Sequence, residues 1–357
     1  MKKKDRIFIE IIVGLSLITA AVYFFVGVGV EKESVWPAGR VDVDSGGRVV
    51  MGTFARVVAV AADSNTAKRC IEAAFAEIKK IDKLMSGYKN DSEISELNRD
   101  GFRRAVVVSK STFEVLQRGI EFSELTYGAF DVTVGPLVDL WHSTQDTSSF
   151  PTDAQLQQAR SKVGYDKLIL DANQTSARFA VEGMRVDLGA IAKGYAIDKA
   201  VEAMQKTGAL GGMVEIGGDI RCFGSPPQGQ NRWRIGLQSS RAIGENVGTG
   251  EVLLVLELTD AAVATSGDYR RFVLIEGKKY SHILDTRTGR ASKGLTSVTI
   301  ISQNATDADA LATAVSVMGL EKGLALIEAE PHTEAILVTP APEYKLIKTT
   351  GVGKYVK

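Results

Sequence analysis

Apolar residues fall along this chain in three patterns, and each predicts a different kind of element. Residues 11–30 run for twenty positions without a charge. As a helix rising 1.5 Å per residue, such a run is about 30 Å long, the thickness of a bilayer core. Lysines at positions 2–4 precede it and predict a cytoplasmic start, with everything after Glu31 on the outer side. A cleaved signal peptide is the rival reading. It fits less well, because the run exceeds a usual signal core and no small-x-small site closes it. Residues 66–85 show the second pattern: Ile71, Phe75, Ile78, Ile81 and Met85 recur at helical spacing, with Gly87 as a stop. Ser111 and Glu114 read as a capping box opening a second helix, with Phe113, Leu116 and Ile120 inward and Gly128 at its end. A third, short helix follows Thr152, with Gln155 three positions on.

The third pattern is strand-like. Residues 51–62 read as a first strand, and from 167 onward strands dominate, with candidates at 167–171, 176–181, 213–223, 232–237, 251–258, 271–275 and 296–302. Helices near 190–206 and 307–318 interrupt them. Runs of strands with occasional helices predict an α+β fold, mainly antiparallel sheet with flanking helices, preceded by one N-terminal transmembrane helix. The predicted organisation is a basic start and membrane anchor over 1–30, a polar linker over 31–48, one domain over 49–345 and a tail over 346–357.

Charge and composition narrow the function. Formal net charge is zero and no lysine/arginine run exists beyond the first six residues, so a nucleic-acid partner is excluded. The two cysteines, Cys70 and Cys222, are either one disulfide or two buried thiols; the apolar helical pattern around Cys70 favours the thiols. Three histidines without clustered Cys/His spacing argue against zinc, so any metal is expected to be a hard cation held by oxygen. No G-x-G-x-x-G turn leads from a strand into a helix, and no Walker A loop is present.

Candidate chemistry concentrates in five segments. Asp187 and Lys193 flank the entry to a helix, whose unpaired amides suit an anion while the lysine reaches a phosphate; a solvated lysine is the bland alternative. Asp309 and Thr313 lie four apart on one helical face, a carboxylate and hydroxyl suited to Mg²⁺, whereas Asp307 reads as a helix cap. Residues 281–289 crowd His282, Asp285, Arg287 and Gly289 into one loop, and a histidine is a natural general base near neutral pH. Phe130 and Asp131 follow a helix exit, where a ring system could be cradled, although a core aromatic is the commoner outcome. Gly217 and Gly218 interrupt a strand pattern and imply a bulge or close approach.

Together these segments resemble the ApbE family of FAD:protein FMN transferases. The resemblance spans roughly residues 50–340 and rests on MGT (51–53), MSxYxxxSEIxxLN (85–98), GAFDVTVGPLV (128–138), DLGAIAKGYAID (187–198), EIGGDI (215–220) and HILDTRTG (282–289), in order, followed by the Asp309/Thr313 helix. It implies a single ApbE-like (T-fold-like) domain. It also implies that Met51, Ala129, Phe130, Asp131, Asp187, Lys193, His282 and Ile283 line an FAD site. Ala190, through its carbonyl, would bind Mg²⁺ with Asp309 and Thr313, and His282 and Asp309 would be the catalytic residues. The implied reaction is Mg²⁺-dependent transfer of FMN from FAD to a Thr or Ser of a flavin-carrying subunit of a membrane redox complex, releasing AMP. The catalytic domain would stand on the periplasmic face of an inner membrane. Alternatives are an FAD pyrophosphatase with water as acceptor, and a non-catalytic FAD-binding protein. Two departures from the family pattern stand out: Thr286 replaces a usual proline, and no lipid-bearing cysteine is present.

Overall fold

The run of apolar residues in Thr53–Ala61 is a strand buried on both faces. Val57, Ala59 and Ala61 enter the larger hydrophobic core, while Val58 and Val60 enter a second one on the opposite side. The structure, a computed structural model, describes residues 39–147, 149–238, 252–267, 272–275 and 278–356.

Nine strands build the main sheet: β1 (Val41–Asp44), β2 (Arg48–Val50), β3 (Thr53–Ala61), β4 (Gly211–Ile216), β5 (Asp219–Gly224), β6 (Ala261–Gly267), β7 (Ser297–Ser302), β8 (Glu334–Val338) and β9 (Leu346–Lys348). Their order is β1-β3-β4-β5-β6-β7-β8-β9, with β2 also on β3. Every pairing is antiparallel.

The helices are α1 (Ser64–Met85), α2 (Glu93–Asp100), α3 (Lys110–Leu125), α4 (Gly135–Thr147), α5 (Asp153–Arg160), α6 (Ala192–Lys206), α7 (Ala305–Met318) and α8 (Leu320–Ala329). Apolar faces of α1, α6 and α7 fill the larger core against one side of the sheet. The other side is closed by the pair Trp233–Gln238 and Val252–Leu258 and by Val352. Cys70 lies in the first core and Cys222 in the second, both buried and free.

Several sequence expectations change. Residues 213–223 are two strands, β4 and β5, and the Gly217–Gly218 pair is their turn, with φ of +61° and +92°. Positive φ at both positions is what a type I′ hairpin turn needs, and glycine meets it without strain. Ser109, not Ser111, caps α3: its hydroxyl accepts the Thr112 N–H, while Glu93 accepts the N–H and O–H of Ser109 at 3.0 and 2.9 Å. That carboxylate, placed by α2, fixes the cap two residues earlier than the local pattern suggests. Asn304 caps α7, leaving Asp307 in the first turn, paired with Arg118. The Thr152–Gln155 capping box forms as expected. Two stretches read as linker and tail carry sheet, since β1 pairs with β3 and β9 pairs with β8.

Among the described residues no helix is long and apolar enough to cross a membrane, and the expected anchor at 11–30 lies outside them.

Candidate active site

The chain reaches the start of α6 along a guided path. Asn98, at the end of α2, grips Val186 from both sides: its amide NH₂ donates to the carbonyl at 3.0 Å and its oxygen accepts the N–H at 2.7 Å. The Asp187 N–H then donates to the Val132 carbonyl at 2.8 Å, and Val134 bridges Arg185. Asp187 itself accepts the Gly189 N–H at 2.8 Å, a side-chain turn that swings the backbone past half-buried Ala190 into α6.

At that helix start sits a charged cluster. The Lys193 ammonium donates to Asp219 and, at 2.9 Å, to Asp309. Asp219 is 3% exposed and Asp309 is 4% exposed. The second oxygen of Asp219 accepts the Thr265 N–H at 3.2 Å, and that of Asp309 accepts the Gly194 N–H at 3.1 Å. Gly194 is one of the first-turn amides that α6 cannot satisfy internally, and Ile191 offers no side-chain cap, so an acid from α7 supplies the acceptor. The service is returned: Asp198 of α6 accepts the N–H groups of Ala305 and Thr306 at the start of α7, both at 2.9 Å. Only glycine at 194 lets the two helices meet, because a Cβ there would lie 2.2 Å from the Ala305 carbonyl oxygen.

Burial opposes the Lys193 charge, but the carboxylates of Asp219 and Asp309 outweigh it and hold the ammonium protonated well above the ordinary lysine range. Burial drives the Asp309 carboxyl above the usual carboxylate range; the Lys193 ammonium opposes this and Asp219 adds to it.

The oxygen atoms here suit a hard cation. Thr313 follows Asp309 by one helical turn, and its hydroxyl lies 3.3 Å from that of Ser266. Among the described residues no group of three His, Cys, Asp or Glu could hold a metal by side chains alone. One buried carboxylate and one hydroxyl a turn apart are donors of the kind Mg²⁺ uses, since it takes few protein ligands and fills its shell with water and phosphate oxygens.

Asp309, Thr313 and Val317 rise along one side of α7, a span of about 12 Å. Val317 packs with Ala129, Ile283 and Met318, joining the acidic cluster to the His282 loop. That loop runs from Lys278–Ser281 to the short pair Leu284–Asp285 and Arg290–Ala291, with His282 exposed and Ile283 buried. Three contacts fix it: the Thr286 hydroxyl donates to the Gly128 carbonyl, Arg287 closes on Asp285 at 2.8 Å, and the Trp141 indole N–H donates to the Gly289 carbonyl at 2.8 Å.

Other expected residues stand differently. The Phe130 ring is core, edge-on to Phe122 at 5.9 Å. The Asp131 carboxylate is occupied internally, accepting from Thr133 N–H and O–H at 2.8 and 2.7 Å and from the Tyr165 N–H at 2.9 Å. Met51 lies in the β2–β3 turn with φ of +48°, and the neighbouring β4–β5 turn is tied to this hairpin by the Gly217 N–H donating to the Phe54 carbonyl at 2.9 Å. Sequence reasoning did not assign roles to Asp219 or Asn98. Asp219 had a signal, the acid following the Gly217–Gly218 pair; Asn98 had none outside its place in the MSxYxxxSEIxxLN stretch.

Comparison with known proteins places this arrangement. A family model described as ApbE family matches residues 51–337. The chain is 38% identical over 287 residues to the FAD:protein FMN transferase of Vibrio cholerae, covering 80% of this chain and 83% of that one. It is 35% identical over 269 residues to the FAD:protein FMN transferase of Haemophilus influenzae, covering 74% and 76%. Among solved structures, the flavin transferase ApbE from Vibrio cholerae superposes with a TM-score of 0.75 at 31% identity, covering 90% of this chain and all of that one. The ApbE protein of Thermotoga maritima gives 0.78 at 30% identity, covering 89% and 99%. With its mainly antiparallel sheet, flanking helices and matched motifs, the chain belongs to the ApbE family and is a transferase.

Proposed function

We propose that this chain cleaves FAD and attaches its FMN half, through a phosphoester, to a Thr or Ser hydroxyl of a flavin-carrying subunit of a membrane redox complex, releasing AMP. The observation that carries the reading is half-buried Lys193 held by the buried carboxylates of Asp219 and Asp309, joined along α7 to the loop that presents His282 to solvent. The relatives named FAD:protein FMN transferase supply the substrate.

In this reading Met51, Ala129, Asp187, Lys193, His282 and Ile283 line the FAD site, and Phe130 and Asp131 contribute backbone, their side chains being engaged inward. Asp309, Thr313 and the Ala190 carbonyl are the residues that would hold Mg²⁺, which when bound supplies charge neutralisation at the pyrophosphate. Two of the three N–H bonds of Lys193 go to carboxylates, leaving the third for a phosphate oxygen. His282, exposed, accepts the proton of the incoming hydroxyl; the new O–P bond forms as the pyrophosphate P–O bond breaks and AMP leaves. An anchor at 11–30 with the catalytic domain outside would raise the local concentration of enzyme near a membrane-bound acceptor.

The test is in-gel flavin fluorescence of a candidate acceptor subunit incubated with this protein, FAD and Mg²⁺. A denaturation-resistant fluorescent band, lost with EDTA, with Asp309→Ala and with His282→Ala, is the expected result. FMN and AMP accumulating without a labelled acceptor would make the protein a pyrophosphatase instead. Protease accessibility of the domain in spheroplasts tests its placement; protection would refute an outer-face location.

A further inference from the structure

Lys193 occupies an awkward place for a cation site, because its ammonium bonds the carboxylate that a metal would use. A divalent cation approaching Asp309 must compete with a like charge already in contact with it. Displacing the ammonium from Asp309 with nothing in exchange would leave a largely desolvated charge without a partner, which is expensive in surroundings of low dielectric. Asp219 resolves the conflict. Its carboxylate also bonds Lys193, so the ammonium keeps an ionic partner when Asp309 turns to a cation.

The position of Asp219 is rigidly set. It is the first residue of β5, pairs with Ile216, and follows two glycines at positive φ. Its other oxygen is held by the Thr265 N–H at 3.2 Å from the adjacent strand β6. It is 3% exposed and cannot follow a moving ligand. Two carboxylates and one ammonium also leave the cluster with one net negative charge, which a cation can use.

We propose that Asp219 is a positioning residue that makes Asp309 available to a divalent cation by retaining Lys193. This rests on Asp309 being a cation ligand, and the experiment separates the two ideas. Mn²⁺ alone is titrated into the full-length protein without FAD and followed by electron paramagnetic resonance, for wild type, Asp309→Ala, Asp219→Asn, Lys193→Met and the Lys193→Met/Asp219→Asn double variant, with circular dichroism as a check on folding. Asp219→Asn should weaken Mn²⁺ binding by about tenfold or more, the usual range for a residue supporting a ligand. With Lys193 replaced by Met, the same change removes only a charge and should weaken binding by a clearly smaller factor. Equal factors in the two backgrounds would show that Asp219 acts through charge alone and would overturn the proposal. Should Asp219→Asn fold poorly, Lys193→Met alone decides: freed of the competing ammonium, Asp309 should bind Mn²⁺ at least as tightly as in wild type, and weaker binding would overturn the proposal. Wild-type affinity in Asp219→Asn, with binding lost in Asp309→Ala, sinks the proposal while leaving the cation reading intact. Undiminished binding in Asp309→Ala would remove both.

Discussion

Replacing Gly194 by alanine sets two effects of opposite sign against each other. In a free helix the change would stabilise, by about 0.5–1 kcal/mol, because alanine loses less backbone freedom. Here the new methyl would lie 2.2 Å from the Ala305 carbonyl oxygen and 2.8 Å from Thr306 Cα. Carbon and oxygen ordinarily meet no closer than about 3.3 Å. The obstacles are backbone atoms, which cannot rotate aside, so α6 and α7 must part by about 1 Å. Overpacking of this kind destabilises by about 1–3 kcal/mol. Separation also stretches the Gly194 N–H bond to Asp309 and the bonds from Ala305 and Thr306 to Asp198, each a cap worth about 1 kcal/mol. The net expectation is a loss of about 2–3 kcal/mol, which lowers Tm by about 3–5 °C in a domain of about 300 residues. Differential scanning fluorimetry reads the stability, and FMN transfer should fall with it, because the shift moves Asp309 relative to Lys193. A Tm equal to or above that of wild type would show that the helices are not locked at this crossing.

Thr286→Val keeps the side chain's shape but removes its donor to the Gly128 carbonyl. It should lower kcat several-fold with a stability loss of only about 0.5–1.5 kcal/mol, and Thr286→Ser should restore the rate; an unchanged kcat would dissociate this bond from catalysis. Asn98→Ala removes both bonds to Val186, and chemical denaturation should register a loss of about 1–3 kcal/mol together with a raised KM for FAD. Burial raises the Asp131 carboxyl above its usual range, and bonds from Thr133 and Tyr165 pull it partly back. A raised folded-state value means the proton is held more tightly when folded, so this residue's stabilising contribution is complete below about pH 4 and declines as pH rises through the raised value. Asp131→Asn should therefore flatten the fall of Tm over that acidic window, and an unaltered slope would show that Asp131 does not titrate there.

What the sequence displayed was local. The spacing of Ile71, Phe75, Ile78, Ile81 and Met85 predicts α1 almost to its ends, because one apolar stripe meets one core. Strand β6 escaped notice: AAVATSG has too little bulk to stand out, and small side chains are what allow α7 to lie close over it. The Gly217–Gly218 pair signalled an interruption without revealing its kind, since a bulge and a two-residue turn use the same residues. At the site, Lys193, Asp309 and Thr313 were visible as chemistry. Their geometry was not, because Lys193 meets carboxylates 26 and 116 positions away and no local pattern encodes such pairings. Phe130 and Asp131 show the opposite case: side chains of types suited to a ligand face inward and serve the scaffold.

The reciprocal caps between α6 and α7 also govern when the site comes into being. Asp198 and its amide partners on α7 are 107 and 108 positions apart, and Gly194 and Asp309 are 115 apart. At ribosomal speeds of about 5–20 residues per second, α6 emerges many seconds before the helix that completes its first turn. Until then Lys193 lacks one of its two carboxylates and the first turn of α6 keeps an unsatisfied amide. A nascent or truncated chain ending before residue 305 thus has no assembled centre, and flavin chemistry waits for a nearly finished molecule.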